Sequence, residues 1–508
     1  MKGSTTRRSI LKGAAALGAA NLLGDVGHAL GRGRRRPNIL FILADDLRFD
    51  GVGYLNEHVR TPHIDRLAGD GVRFLNAFVT TAICCTSRAS IFTGTYARRH
   101  GVWDFTTKIP PPLLRNSYPA LLRSHGYRTG FFGKYGVADY LTGDDGGDGL
   151  GPQLLMPPED KLSFDVAEDF NDYYPPKDVN REHHNNRRIA DKAIGFIQAQ
   201  PAGRPFCLSL SFKAPHANDE DDLLMGEYVA EPDMYALYAR DIFTEGPTVN
   251  DVYRPDFWSN VLGDTPKQND AAFKTLPDFI RRSISRTRWL GRFSTPFLWQ
   301  DSVRKYFALV TGMDRAIGRV IAALEETGQA ADTIVVFTSD NGYFLGDYGL
   351  SDKFYGYECS IRVPLVIRPL QTPRVQEVSA TVLNIDLAPT LLSLAGIPIP
   401  ATMQGRDLSS LWSANTPAAH WRKDFLYEHY LPRLHDPRPA YEQLIPSSEG
   451  VRNDRYTYLR YPRQSGENEQ LFDRLADANE MQNIVHTAPA PLVDGLRKRT
   501  DELIAQNS

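Results

Sequence analysis

Five apolar runs of strand length, separated by stretches of helical periodicity, constrain the fold of this 508-residue chain more than any other feature. They are Asn38–Ala44 (NILFILA), Tyr127–Phe132, Phe206–Phe212, Thr333–Thr338 (TIVVFT) and Val363–Ile367. Runs that are apolar throughout need cover on both faces, so the pattern predicts an α/β domain with a large, mostly parallel sheet flanked by helices. The most regular helical pattern is Ser302–Thr327, where Val303, Tyr306, Phe307, Val310, Met313, Ile317, Val320, Ile321 and Leu324 recur at three- and four-residue steps. That stripe is core packing rather than a cofactor site. Thr61-Pro62 marks the start of a short helix, closed by Gly69 and Gly71. From about 217 to 300 the rhythm breaks into a Tyr-, Phe-, Trp- and Arg-rich segment, read as an insertion. Beyond Leu411 short strands such as Asp454–Arg460 (DRYTYLR) predict a smaller C-terminal α+β subdomain over 412–508 with an antiparallel sheet, leaving 37–411 as the main domain.

Residues 1–29 predict an export signal. Arg7-Arg8 stands within TTRRSILK, the mildly apolar Gly13–Gly24 follows, and cleavage fits after Ala29. Arg32, Arg34, Arg35 and Arg36 make a basic linker over 30–36, a short charge run that solvent accounts for. The expected partner is the twin-arginine export machinery and the expected location is periplasmic or extracellular. No other apolar run approaches the ~18 residues of a membrane span. A net charge of -3 argues against nucleic-acid binding. Four cysteines do not make a disulfide framework in a chain of this size; Cys207, in an apolar run, reads as a small buried hydrophobe.

In open α/β sheets ligands bind beyond the carboxyl ends of the strands. Asp45 and Asp46 follow the first run, Lys134 follows Phe132, His216 comes four residues after Phe212, and Asp340 and Asn341 follow Thr338. Three carboxylates and an amide oxygen gathered at one sheet edge would repel unless a cation sat among them, and all-oxygen ligation favours Ca²⁺, or less readily Mg²⁺, over zinc. Each pair alone also fits a helix cap or turn. Cys84-Cys85-Thr86-Ser87-Arg88 precedes a helical pattern from near Ser87. A residue just before a helix meets unpaired N–H groups and the positive end of the dipole, and Arg88 could hold a tetrahedral oxyanion there.

At this point the chain resembles the type I sulfatases of the alkaline-phosphatase superfamily, whose signature is C-x-P-S-R followed by a small-residue helix and T-G. Pro37–Asp46, Thr61–Ala68, Phe132-Gly133-Lys134, Ala214-Pro215-His216, Phe337–Gly342, Lys353 through Tyr357-Glu358 to Pro364, and Leu471-Phe472-Asp473 to Asn483 stand in the family's order. The resemblance implies an alkaline-phosphatase-like fold and hydrolysis of sulfate esters. Cys84 would be converted to formylglycine by a formylglycine-generating enzyme and hydrated to a gem-diol. Asp45, Asp46, Asp340 and Asn341, with an oxygen of that diol at position 84, would coordinate calcium. Arg88 and Lys134 would stabilise the diol, Lys353 would bind sulfate oxygens, and His216 would serve the leaving group. One diol oxygen attacks sulfur and expels the alcohol; the second then loses its proton and eliminates sulfate, restoring the aldehyde. Calcium, Arg88, Lys134 and Lys353 exceed three aspartates and a diol oxyanion by about one positive charge, which suits a singly charged sulfate ester or a phosphate diester; each unit charge at 4 Å is worth about 4 kcal/mol at an effective dielectric of 20.

Three positions depart from the family pattern. Thr86 replaces the signature proline, Gly136 stands where many members have histidine two residues after the lysine, and Tyr348 replaces the histidine of G-x-H-G. Lys134-Tyr135 resembles the branch acting on glucosamine 6-sulfates. In the insertion, Tyr253, Trp258, Trp289, Phe297 and Trp299 with Arg281, Arg282, Arg286, Arg288 and Arg292 either form a sugar-stacking, anion-binding wall or pack within the segment. A sulfated carbohydrate is the favoured substrate. The rivals are a phosphodiesterase or phosphonate monoester hydrolase of the same superfamily, and an exported glycan-binding protein on a decayed scaffold.

Overall fold

The computed structural model describes residues 36–138, 156–218, 227–244, 247–250, 273–412, 421–430, 445–464 and 468–508, except positions 176, 179, 274, 372, 374 and 375. The expected signal (1–29), the linker up to Arg35, Tyr253 and Trp258 lie outside the described residues. Pro37–Ser508 forms one compact unit.

The central strand β1 (Asn38–Asp45) is buried along its whole length. Its alternate residues feed two cores: Ile39, Phe41 and Leu43 enter one, and Leu40, Ile42 and Ala44 the other. The remaining strands of its sheet are β2 (Val72–Phe74), β3 (Arg128–Gly133), β4 (Val166–Asp169), β5 (Phe206–Pro215), β6 (Thr333–Ser339), β7 (Leu365–Arg368) and β8 (Glu377–Val378), ordered β8-β2-β7-β6-β1-β5-β3-β4. β1 runs parallel to β5 and β6, and β3 runs parallel to β4 and β5. β7, the expected strand near Val363–Ile367, is antiparallel to both β6 and β2, so the sheet is mixed on that side.

One core is covered by helices α1 (Pro62–Asp70), α3 (Asn185–Gln198) and α5 (Pro296–Glu326), represented there by Ile64, Ile189 and Val303. The other takes Ile91 and Phe92 of α2 (Cys84–Thr93) and the C-terminal antiparallel sheet of β9 (Asp424–His429), β10 (Ser448–Asn453), β11 (Tyr456–Arg460) and β12 (Glu469–Asp473), in that order. α4 (Ile284–Arg292) precedes α5, and α6 (Ala490–Asn507) ends the chain. α5 starts at Pro296 rather than Ser302, because Thr295 caps it: its hydroxyl accepts from the Leu298 N–H at 3.0 Å. Among the described residues no helix is long and apolar enough to cross a membrane, and no disulfide joins the four buried cysteines.

Parallel register brings the ends of β1, β3, β5 and β6 to one edge. Asp45 lies opposite Pro215, Ala44 opposite Ser339, and Gly133 opposite Ser211. Side chains far apart in sequence therefore face one another there.

Candidate active site

Two successive aspartates at the end of β1 organise the site. Asp46 takes a left-handed conformation (φ 65°), which short polar side chains tolerate better than most. The two carboxylates then serve different partners. Asp45 accepts from Cys84 Sγ at 3.1 Å and from Lys134 Nζ, and lies 3.5 Å from Arg88 Nη2. Asp46 accepts from Lys353 Nζ at 2.7 and 2.8 Å and from Asn341 Nδ2 at 2.7 Å, with His216 Nε2 3.5 Å from its Oδ2.

Cys84 is the first residue of α2 rather than the residue before it, since the Ser87 N–H already bonds to the Ile83 carbonyl at 2.9 Å. Arg88 lies one turn further on the same helix face. Its Nε donates to Asp340 Oδ2 at 2.8 Å, and its Nη1 donates to the Lys134 carbonyl and Ser211 Oγ, both at 2.6 Å. Asp340 Oδ1 accepts the Asp46 N–H at 3.2 Å, so Asp340 braces both the arginine and the aspartate pair. Cys84, Arg88, Lys134, Lys353, Asp45, Asp46, Asp340 and Asn341 are all buried. His216 is 14% exposed and lies at the more open side of the group, its Nδ1 against the Ala217 carbonyl.

Burial penalises every charge here, and the neighbours decide the outcome. Burial would raise Asp45, but Lys134, His216, Arg88 and Lys353 hold it well below the carboxylate range. Burial raises Asp46 to about 7, with Lys353 opposing and the charges of Asp45 and Asp340 adding to the rise. Asp340 is pushed to about 6 by burial and Asp45. Despite burial, the aspartates keep Lys134 and Lys353 protonated well beyond neutrality. Burial and the two lysines hold His216 neutral. The Cys84 thiol is raised far above its ordinary value by burial and Asp45, so as a thiol it is a poor nucleophile.

The carboxylate and amide oxygens at this edge suit a hard cation, while the Cys84 thiol and His216 imidazole grouped with them are softer donors. Donor atoms of Asp45, Asp46, Cys84 and His216 lie within 4.8 Å of one another. Beside them Asn341 Oδ1 is a buried acceptor without a hydrogen-bond partner, as a ligand carbonyl would be.

The departures from the family pattern have physical reasons in two cases. At Gly136 (φ 76°) a Cβ would fall 2.6 Å from Arg88 Cδ, so any side chain there would displace the guanidinium. Tyr348 is buried and donates its hydroxyl to the Asn479 carbonyl, away from the aspartate pair. Thr86 is fully buried in α2, and nothing in the structure explains its replacing proline. Of the insertion's aromatic and arginine residues for which a wall and internal packing were both open, most of the described ones pack. Trp289 and Trp299 are buried, Arg286 stacks on Trp289 and Phe273, and Arg281 and Arg282 pair with Asp278. Phe297 is exposed.

Two supporting residues carried no sequence signal. Ser211 looked like one more residue of an apolar strand, and Tyr306 like part of the α5 core stripe; its hydroxyl donates to the Asp46 carbonyl at 2.7 Å and accepts from the Arg48 N–H at 3.1 Å.

A sulfatase family model matches residues 37–397, and a model of the C-terminal region of N-sulphoglucosamine sulphohydrolase matches residues 346–506. An N-acetylglucosamine-6-O-sulfatase from Bacteroides thetaiotaomicron is 28% identical over 496 residues, covering 89% of this chain and 83% of that one. The N-acetylglucosamine-6-sulfatase of Homo sapiens is 29% identical over 78% of this chain and 68% of its own. A protein solved in complex with its substrate D-glucosamine-2-N,6-O-disulfate is 27% identical, with a TM-score of 0.70 over 93% of this chain and 98% of that one. A phosphonate monoester hydrolase from Agrobacterium radiobacter shares the fold at 21% identity, with a TM-score of 0.71 over 93% and 96% of the two chains.

Proposed function

The chain belongs to the sulfatase family, and from that premise we propose that it hydrolyses the sulfate ester of a sulfated sugar, of the glucosamine 6-sulfate class, with a nucleophile made by oxidising Cys84 to formylglycine. The observation that carries the reading is the placement of Cys84 at the start of α2, 3.1 Å from Asp45, with Arg88 one turn behind it and both lysines on the same aspartate pair. Burial and Asp45 raise the thiol so far that unmodified Cys84 has little use as a nucleophile. The sugar class rests on the sulfated-glucosamine relatives and on Lys134-Tyr135.

Asp45, Asp46, Asp340 and the Asn341 carbonyl would hold calcium, which supplies Lewis-acid charge favouring an anion beside them. Cys84 as formylglycine would supply a hydrated aldehyde, of which one oxygen would serve as nucleophile toward sulfur and the other would let sulfate depart as the aldehyde re-forms. Arg88 is locked by Asp340, Ser211 and the Lys134 carbonyl, so its charge is in place before substrate arrives. Lys134 and Lys353 stay protonated; Lys134, beside Cys84 on Asp45, stabilises the diol, and Lys353 donates to sulfuryl oxygens, countering the charge that builds there. His216 is on the more open side; its Nδ1 is taken by the Ala217 carbonyl, so Nε2 is the atom that serves the leaving oxygen, as a donor when it carries a proton. The burial of every other member excludes water and strengthens each of these interactions.

The test is a panel of glucosamine 6-sulfate, an aryl sulfate and a phosphate diester given to protein matured with a formylglycine-generating enzyme, with peptide mass spectrometry of position 84. The reading requires an aldehyde at that position and fastest turnover of the sulfated sugar. Faster turnover of the diester would replace it with the phosphodiesterase reading. Export by a twin-arginine signal over 1–29 belongs to the same proposal, and its check is loss of the protein from the periplasm when Arg7 and Arg8 are replaced by lysine.

A further inference from the structure

Lys353 follows a short antiparallel pairing of Ser351–Asp352 with Phe344–Leu345 and stands between two residues of unusual backbone conformation. Its neighbours Asp352 (φ 72°) and Phe354 (φ 84°) are both left-handed, and so are Gly346, Tyr348 and Gly349 just before them. Non-glycine residues rarely adopt this conformation unless their surroundings impose it. Beside the Phe354 N–H bond to the Ala82 carbonyl and the Tyr427 hydroxyl on the Phe354 carbonyl, one source of that constraint is Asp352, a fully buried carboxylate. Its Oδ2 accepts from Arg288 Nη1 at 2.7 Å and its Oδ1 from Arg292 Nη1 at 3.0 Å. Arg292 Nη1 also donates to Tyr343 Oη at 2.9 Å, and Arg286 Nη1 donates to the Gly349 carbonyl at 3.0 Å. The two arginines are four residues apart and so share one face of α4, the last short helix before α5. Burial opposes the ionised form of Asp352, but Arg288, Arg292 and Lys353 keep it charged.

Resting on the sulfate-ester reading above, we propose that the Arg288–Asp352–Arg292 clamp positions the Lys353 ammonium for the reaction, giving the α4 segment a part in catalysis without contact to substrate. Lys134 needs no such device, since it continues directly from β3. The clamp predicts that Asp352→Asn frees Lys353 selectively. Acetylation of surface-accessible amines by a water-soluble acetylating reagent, read by peptide mass spectrometry, should rise about tenfold at Lys353 and stay unchanged at Lys134, the equally buried control, since selective local opening spares other sites. In matured enzyme, Asp352→Asn should lower kcat about 100-fold, with KM little changed. In a Lys353→Ala background the same substitution should cost less than about threefold, because it acts through the missing side chain. Arg292→Lys, which keeps the charge, should recover part of the loss that Arg292→Met causes. Equal rises in labelling at both lysines, no rise at either, or the same fold loss in both backgrounds would overturn the proposal. The labelling arm does not depend on turnover, so an enzyme inactive on every ester would defeat the sulfatase reading while leaving the clamp decided.

Discussion

Lys134 and Lys353 are given the same task, each gripping one of two adjacent aspartates, yet they are held in place by different means. Lys134 is the residue after β3. Its N–H continues the sheet ladder to the Ser211 carbonyl at 2.9 Å, and its own carbonyl accepts from Arg88 Nη1 and Ser211 Oγ. Gly133 (φ 112°) lets the strand come so close that a Cβ would fall 2.0 Å from the Ser211 carbonyl oxygen. Lys353 stands in a turn of left-handed residues, tied to the molecule through Asp352, through the Phe354 N–H on the Ala82 carbonyl, and through Tyr427 Oη on the Phe354 carbonyl. The first lysine extends a strand of the main sheet; the second follows a two-residue β-pairing and depends more on side chains from distant segments. A charged group can thus be preorganised either by regular structure or by a buried ionic network.

The largest effects test whether the two tasks are the same. Lys134→Ala and Lys353→Ala should each lower kcat/KM by about 10²- to 10³-fold, the cost of removing one preorganised donor. A loss below tenfold for either one breaks the symmetry. Next, Gly136→Ala should lower kcat by about 10- to 100-fold, since the new Cβ meets Arg88 Cδ at 2.6 Å and shifts the guanidinium proposed to stabilise the diol. Gly349→Ala, on the Lys353 side, meets the end of the flexible Arg286 side chain at 2.7 Å and should cost less than about tenfold, through backbone strain. Steady-state kinetics on matured protein measures both.

The smallest effect is on stability and separates the two sides by pH. His100, under α2, and His429, packed on Phe354 beside Lys353, are both pushed down to about 3 by burial. A depressed histidine binds its proton more readily unfolded than folded, so its contribution is complete above pH 6.5 and falls as pH drops toward 3. His100 has partners on both ring nitrogens, Ser90 Oγ and the Val102 N–H, whereas among the described residues neither nitrogen of His429 has a hydrogen-bond partner. His429→Phe should therefore be near neutral at pH 7.5 and stabilise by up to about 2 kcal/mol at pH 5, while His100→Phe should destabilise at pH 7.5. Thermal melts at the two pH values decide it.

The same contrast explains what could be read in the sequence. Every group fixed by a strand end was legible: Asp45, Lys134, His216 and Asp340 follow apolar runs that became β1, β3, β5 and β6. Arg88 was legible because helix periodicity puts it one turn from Cys84. The start of α5 was missed because Thr295-Pro296, a cap of the kind recognised at Thr61-Pro62, precedes the apolar stripe by two turns. Asp352 was invisible because its partners Arg288 and Arg292 come from the insertion, where arginines beside aromatics suggested a sugar wall as readily as packing. Periodicity reports local faces; it carries no information on which distant ion a buried carboxylate meets.

The most direct test of the account is sulfate release from glucosamine 6-sulfate by matured wild-type protein and by Cys84→Ala, measured side by side at equal calcium. The account predicts steady turnover by the wild type and none above the uncatalysed rate by the variant, whose carboxylates, Arg88 and both lysines are intact. Turnover that survives in Cys84→Ala would contradict it.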